Sequence, residues 1–87
     1  MVRIDFHRSF KKRFSRLPQK TQRQFDARLL LFRENRLHPL LNYHELSGAL
    51  SGIYSINITG DIRAQLYWRA PDHVVFLNIG SHSELYG

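Results

Sequence analysis

The chain has 87 residues, of which 43% are hydrophobic and 13% aromatic, and it contains no cysteine. A chain of this length buries only about 60–65% of its unfolded surface, so we predict a single domain, residues 1–87, with one core. The missing cysteines exclude disulfides, thiolate zinc sites and cysteine nucleophiles. No apolar run is as long as a signal peptide or a membrane span, so we predict a cytoplasmic protein that does not contact membranes.

The positive charge is concentrated in the N-terminal part of the chain. Thirteen basic side chains oppose seven acidic ones, and eleven of the thirteen lie between Arg3 and Arg36. A basic surface of this density attracts polyanions through counterion release. An acidic protein partner and a merely solvated helical surface are the alternatives.

The first third of the chain predicts a strand and two helices. Val2 to Phe6 alternates as a strand does, and helical spacing follows at Phe6, Phe10, Phe14 and Leu17. Pro18 separates this helix from the next. Thr21 and Gln24 fit a capping box ahead of a second apolar stripe, which consists of Phe25, Leu29 and Phe32. The two helices are predicted to form a hairpin.

The remainder of the chain predicts a sheet. Residues 35–43 lose periodicity and are predicted as a crossover loop, and residues 50–59 alternate as a strand. Gly60-Asp61 suits a hairpin turn into a strand over residues 62–69. That strand directs Ile62, Ala64, Leu66 and Trp68 towards the helices, and Arg63, Gln65, Tyr67 and Arg69 away from them. A turn at 70–72 leads to a last strand at 73–80. The order β-α-α-β-β-β predicts an α+β fold, an antiparallel meander sheet packed against an N-terminal helical hairpin.

Three motifs in the second half occur in the order of a known family. The chain reads His44-x-Leu46-x-Gly48-x-Leu50-x-Gly52, then Gly60-Asp61-x-Arg63, then IGSHSELY over residues 79–86. This pattern resembles the RelE/ParE toxin superfamily and its YafQ-like branch, whose members end in Gly-Thr/Ser-His-x-x-Leu-Tyr/Phe-Gly. The resemblance implies a RelE-like fold. It also implies the toxin of a type II toxin–antitoxin system, a ribosome-dependent endoribonuclease (mRNA interferase).

The implied reaction is attack of the RNA's own 2′-hydroxyl on the adjacent phosphate, and it requires neither a metal nor a cofactor. It requires a base for the 2′-OH proton, donors that stabilise the phosphorane, and an acid for the leaving 5′-oxygen. Histidine suits both proton roles because its ordinary pKa lies near neutrality. The expected products carry 2′,3′-cyclic phosphate and 5′-hydroxyl ends.

The resemblance assigns proton-transfer roles to three residues. His82 matches the tail histidine and is the expected general acid, although it could instead only cap the last strand. His44 is the expected base or phosphate-orienting group, and the alternative is a loop histidine packed on its neighbours. Asp61 could hold an imidazolium or help to take the proton, but aspartate after glycine is also ordinary in a turn.

Other residues are expected to contact the RNA. Arg63 lies where RelE-like enzymes hold the scissile phosphate, and a guanidinium can donate to two phosphate oxygens at once. Its alternative is a salt bridge to Asp61. Tyr86 matches a C-terminal aromatic residue that would stack on a base, unless it only docks the tail. The predicted RNA- or ribosome-binding side chains are Lys11, Lys12, Arg13 and Arg69.

Two departures from the family pattern keep other functions open. YafQ-like enzymes tend to have histidine where this chain has Asn57, and an aromatic residue where it has Ile62. Asparagine cannot shuttle a proton near neutral pH. These departures favour a catalytically silent antitoxin-binding scaffold as one alternative. The other is a ParE-like gyrase inhibitor, which the resemblance gives the same fold and basic helices, although His82 and Tyr86 count against it. The expected partners are a cognate antitoxin protein, the ribosome and mRNA, with operator DNA bound only through the antitoxin complex.

Overall fold

The computed structural model describes residues 2–86 and contains five strands and three α-helices. The strands are β1 (Arg3–Phe6), β2 (His44–Glu45), β3 (Tyr54–Asn57), β4 (Ile62–Ala70) and β5 (His73–Ser81). The helices are α1 (Arg8–Phe14), α2 (Gln19–Glu34) and α3 (His82–Tyr86). Two short 3₁₀ turns, Pro39–Leu41 and Gly48–Leu50, flank β2.

The strands form one mixed sheet in the order β1-β5-β4-β3-β2. Strands β3 to β5 form the predicted antiparallel meander, and β2 extends it by pairing antiparallel with β3. Strand β1 lies parallel to β5, with Ile4 opposite Val74 and Phe6 opposite Phe76. The α+β class and the helical hairpin are confirmed, while β2, α3 and the parallel strand pair were not predicted.

Two glycines explain why β2 and β3 are separate strands and why β3 begins later than predicted. Gly48 and Gly52 have φ values of 66° and 91°, a left-handed backbone that a strand cannot contain. The predicted strand over residues 50–59 is therefore wrong in its first part. The extended segments are β2 before the glycines and β3 after them.

The capping box predicted at Thr21 is wrong, because α2 begins two residues earlier. Pro18 precedes the helix with φ −56°, a value already suited to helix entry, and no side chain caps α2. Gln22, in the first turns, instead donates its side-chain amide to the carbonyls of Phe14 at 2.9 Å and Leu17 at 3.2 Å. Gln22 thus closes the end of the preceding helical segment.

Phe76 is the centre of the core. Its fully buried ring lies 5.6–5.8 Å from four other phenylalanine rings, which come from β1, α1 and α2. Ala64 and Leu66 of β4 are also fully buried, as the alternation of that strand predicted. One face of the sheet is therefore covered by the helices, and we call the opposite face the outer face.

We expect Phe76→Ala to reduce the free energy of unfolding by about 3–5 kcal/mol, because a ring in van der Waals contact on all sides leaves a cavity. Urea denaturation followed by circular dichroism measures this loss. Leu30→Ala is the matched control, since Leu30 is exposed and its truncation should cost less than about 0.5 kcal/mol. Equal losses in the two variants would contradict this description of the core.

Candidate functional site

The outer face carries rows of polar side chains across the meander. Strand register places His44, Ser55, Gln65 and Asn78 side by side on β2, β3, β4 and β5. The next row contains Asn57, Arg63 and Gly80. Residues paired across neighbouring strands project to the same side of a sheet. Two predicted site residues, His44 and Arg63, therefore share the face that the helices leave uncovered.

The tautomer of His44 follows from its hydrogen bond. Its Nδ1 lies 2.8 Å from the carbonyl oxygen of Asn42, which has a left-handed backbone with φ 45°. A carbonyl oxygen can only accept, so Nδ1 carries the hydrogen and Nε2 of the neutral ring carries the lone pair. The exposed imidazole is thus prepared to accept a proton at Nε2.

Arg63 is held by the loop between β3 and β4 rather than by a carboxylate. Its guanidinium donates to the carbonyls of Thr59 at 2.9 Å and Ile62 at 3.3 Å. The chain reverses over residues 58–61, a longer loop than the two-residue turn predicted at Gly60-Asp61. In this loop the Thr59 hydroxyl accepts the backbone N–H groups of Asp61 and Ile62. The alternative of an Arg63–Asp61 salt bridge is not realised within residues 2–86.

A capping box begins the C-terminal helix α3. The Ser81 hydroxyl accepts the Glu84 N–H at 3.2 Å, and the Glu84 carboxylate accepts the Ser81 N–H at 2.8 Å. This reciprocal pair is the S-x-x-E motif. The motif is present in the sequence as Ser81-His-Ser-Glu84, so this signal could have predicted α3 and was missed.

The tail helix brings three predicted residues together. The His82 N–H donates to the Asp61 carbonyl at 3.2 Å, which attaches α3 to the β3–β4 loop. The rings of His82 and Tyr86 lie 4.8 Å apart. The His82 imidazole is exposed and has no hydrogen-bond partner within residues 2–86. The bond to the Asp61 carbonyl uses only the backbone N–H of His82, so the ring remains free to bind a ligand.

The basic side chains predicted to bind RNA or the ribosome differ in their exposure. Lys11 and Lys12 are exposed on α1, and Arg69 is exposed on the outer face. Arg13 is half-buried and reaches the Glu84 carboxylate at 4.0 Å, so it joins α1 to the tail helix. Arg13 therefore supports the position of α3 from the side of the helical hairpin.

The pKa of the Glu84 carboxyl lies below its ordinary value. The first cause is the hydrogen bond from the Ser81 backbone, followed by that from the Ser81 hydroxyl, with a smaller contribution from the charge of Arg13. All three favour the ionised form. The capping box therefore depends on the charge of Glu84.

His44 and His82 lie on opposite sides of Arg63. His44 is on β2, two strands from Arg63 on β4, which corresponds to about 10 Å between strand axes. His82 follows the end of β5, the neighbour of β4 on its other side. The strand order thus places His44 and the start of α3 on opposite sides of the strand that carries Arg63.

Two buried polar atoms on the outer face were not predicted as site features. Ser55 is 1% exposed, and its hydroxyl has no hydrogen-bond partner within the described residues. The same holds for Oδ1 of Asn57, beside Arg63. Strand alternation placed both residues on this face, but their burial depends on tertiary packing.

The described residues form neither a metal-binding cluster nor a membrane-spanning helix. Between residues 2 and 86, no group of three or more His, Asp or Glu side chains could hold a metal ion. No helix in that range combines the length and the apolar character needed to cross a membrane.

Comparison with known proteins shows the fold. No protein-family model matches the chain, and no curated protein sequence matches it significantly. YafQ in the E. coli DinJ–YafQ toxin–antitoxin complex is 20% identical, with a TM-score of 0.78 over 99% of this chain and 98% of that one. A copper-bound mutant toxin from Helicobacter pylori is 24% identical, with a TM-score of 0.75 over 99% and 100% of the two chains.

A third solved structure extends the likeness to another branch. The YoeB/ParE toxin from Agrobacterium tumefaciens is 13% identical and has a TM-score of 0.77, over 93% of this chain and 99% of that one. These likenesses confirm the predicted RelE-like fold.

We expect Ser81→Ala to destabilise α3 by about 1 kcal/mol, because the helix loses the hydroxyl that accepts the Glu84 N–H. Amide hydrogen exchange should then be about fivefold faster at residues 84–86 and unchanged in β4. Ser47→Ala is the control, since Ser47 is exposed, lies outside α3 and has no side-chain hydrogen bond within the described residues. Unchanged exchange in Ser81→Ala would contradict the capping role.

The pH dependence of the tail follows from Glu84. Because its pKa is lower in the folded protein, the stabilisation is complete above the ordinary glutamate pKa and is lost as pH falls through the lower folded value. NMR titration of the Ser81 amide should show this transition, and Glu84→Gln should abolish it. A Glu84 midpoint at or above that of an unstructured glutamate would contradict the prediction.

Proposed function

We propose that this chain is the toxin of a type II toxin–antitoxin pair and acts as a ribosome-dependent endoribonuclease on mRNA. The fold shared with toxins such as YafQ and YoeB/ParE supports the toxin role. The observation that supports the ribonuclease role is the strand order, which sets His44 on β2 and the start of α3 on opposite sides of the strand that carries Arg63. Cleavage of RNA by in-line displacement needs a base and an acid on opposite sides of one phosphate.

In the proposed reaction, the lone pair on Nε2 of His44 takes the proton of the 2′-hydroxyl. The 2′-oxygen then bonds to phosphorus as the bond to the 5′-oxygen breaks, and the His82 imidazolium protonates that oxygen. Arg63 stabilises the charge on the crowded phosphate oxygens with the N–H groups that remain free of loop carbonyls. The products carry a 2′,3′-cyclic phosphate and a 5′-hydroxyl.

Asp61 and Tyr86 have supporting roles in this proposal. Asp61 accepts the His82 N–H through its carbonyl, and its exposed carboxylate supplies negative charge near the imidazolium. Tyr86 contacts the His82 ring and is half-exposed, so it can stack on a base next to the scissile phosphate. Both residues therefore act at the end of the sheet where His82 lies.

The residues that depart from the family pattern favour one alternative, a silent antitoxin-binding scaffold. Asn57 lies directly beside Arg63 and offers an amide instead of an imidazole. Ile62 packs against the core and offers no polar group. Under the main proposal, His44 alone supplies the base, and Asn57 acts only as a hydrogen-bonding group.

The proposed partners are an antitoxin, the ribosome and mRNA, with operator DNA bound only through the antitoxin complex and the cytoplasm as the place of action. An apolar groove of about 420 Å³ between α1 and α2 is lined mainly by phenylalanine, with Lys11 and Asp26 among its polar residues. Such a groove suits the apolar face of an amphipathic antitoxin segment. The exposed Lys11 and Lys12 supply positive charge for ribosomal RNA.

We expect induced expression of the wild type to arrest bacterial growth and to produce ribosome-dependent mRNA cuts, whereas His82→Ala should reduce cutting by about 10²–10⁴-fold. Primer extension measures the cuts. Ser83→Ala is the matched control, since it changes the next residue of the same helix and should retain activity. Arrest without cuts would point to gyrase or another target, and no arrest would favour the silent scaffold.

Substitutions at Arg63 and on α1 should separate chemistry from binding. Arg63→Ala should lower the maximal cleavage rate on programmed ribosomes with little effect on ribosome affinity, because it removes a group at the phosphate. The double variant Lys11→Glu, Lys12→Glu should weaken ribosome binding and leave the maximal rate similar. Circular dichroism and antitoxin binding establish that each variant is folded. A lower ribosome affinity in Arg63→Ala, or a lower maximal rate in the double lysine variant, would contradict these roles.

A further inference from the structure

A second concave site lies on the outer face, away from the residues assigned above to the chemistry. It is a groove of about 520 Å³ where β1, β4 and β5 meet the start of α1, and we call it the β1–β4 groove. Its volume lies in the range of small-ligand pockets, about 300–1,000 Å³. The residues that line it are Asp5, Phe6, His7, Arg8, Tyr67, Arg69 and Val75.

Arg63 and the β1–β4 groove lie on the same face of β4. Arg63, Gln65 and Tyr67 alternate on the outer face of this strand, so the groove begins about 14 Å from Arg63. Tyr67 pairs in register with Val75, which pairs with Asp5. A chain bound at Arg63 and running along β4 would therefore enter this groove.

The charge of the groove is positive. Arg8 and Arg69 are exposed at its edge. The pKa of Asp5 is lowered, first by its hydrogen bond to His73 and least by the charge of Arg69. Asp5 already pairs with Arg3 at 3.2 Å and lies 2.7 Å from Nε2 of His73. The two groove arginines thus remain available to an anion.

Two other lining groups have unused binding capacity. Nδ1 of His7 accepts the Ser9 N–H, so Nε2 of the neutral ring carries a hydrogen that it can donate. The half-buried Tyr67 has no aromatic or hydrogen-bonding partner within residues 2–86. The other tyrosines do have partners, since Tyr43 and Tyr54 stack on each other and Tyr86 contacts His82. A free aromatic surface beside two arginines and a donor suits a base and its phosphate.

We propose that the β1–β4 groove binds one nucleotide of single-stranded RNA at a position distinct from the cleaved one. Tyr67 stacks on the base, and Arg8 and Arg69 hold the phosphate. The inference rests on the proposed function, since it takes RNA as the ligand of the outer face. Positive charge, an aromatic surface and a position on the same face of β4 as Arg63 favour RNA over an acidic peptide, which needs no stacking surface.

The test is equilibrium binding of a fluorescent 12-nucleotide single-stranded RNA whose 2′-hydroxyls are all methylated, so that it cannot be cleaved. Tyr67→Ala should weaken binding about tenfold, as expected for one lost stacking partner, while Tyr67→Phe should stay within about twofold. Arg8→Ala should also weaken binding and should lower the slope of log affinity against log salt by about 0.7. Tyr67→Ala should leave that slope unchanged.

Arg23→Ala is the control for Arg8→Ala, since Arg23 is exposed on α2 and does not line the groove. If Tyr67→Ala does not fold, the Arg8→Ala slope still decides the question. Wild-type affinity and slope in both groove variants would overturn the proposal, and so would absence of RNA binding by the wild type. RNA binding that depends on Tyr67 in a protein that cuts no mRNA would retain the groove and reject the ribonuclease.

Discussion

The contact of Phe76 with four phenylalanine rings is the interaction on which the rest of the structure depends. These rings come from β1 and from both helices of the hairpin, so a single buried side chain on β5 joins three other elements. Burial of large aromatic surfaces dominates the stability of a domain this small. Because all of these contacts are made on one face of the sheet, the opposite face remains free for polar side chains.

The free outer face is organised by strand register. The order β1-β5-β4-β3-β2 puts His44 and the end of β5 on opposite sides of Arg63, although these residues are far apart in the chain. The positive charge of Arg63 is kept in place by carbonyl oxygens, which leave the guanidinium its full charge. This arrangement favours an anionic ligand at Arg63.

The tail helix α3 is held by individual polar contacts and not by burial in the core. A five-residue helix is not stable alone, because helix nucleation is unfavourable. The Ser81–Glu84 capping box, the Arg13 contact and the bond from His82 to the Asp61 carbonyl compensate for this. The position of His82 therefore depends on the charge of Glu84 and on a few side-chain contacts.

The sequence by itself determined the helical hairpin, the meander and the alternation of β4, because hydrophobic periodicity reflects which side of each element is buried. It also indicated His44, Asp61, Arg63, His82 and Tyr86 as candidate site residues. Only the tertiary structure decided that β1 lies parallel to β5, that Arg13 contacts Glu84, and that Ser55 is buried without a partner. These features depend on which distant parts of the chain pack together. Local periodicity carries no information about which distant elements become neighbours.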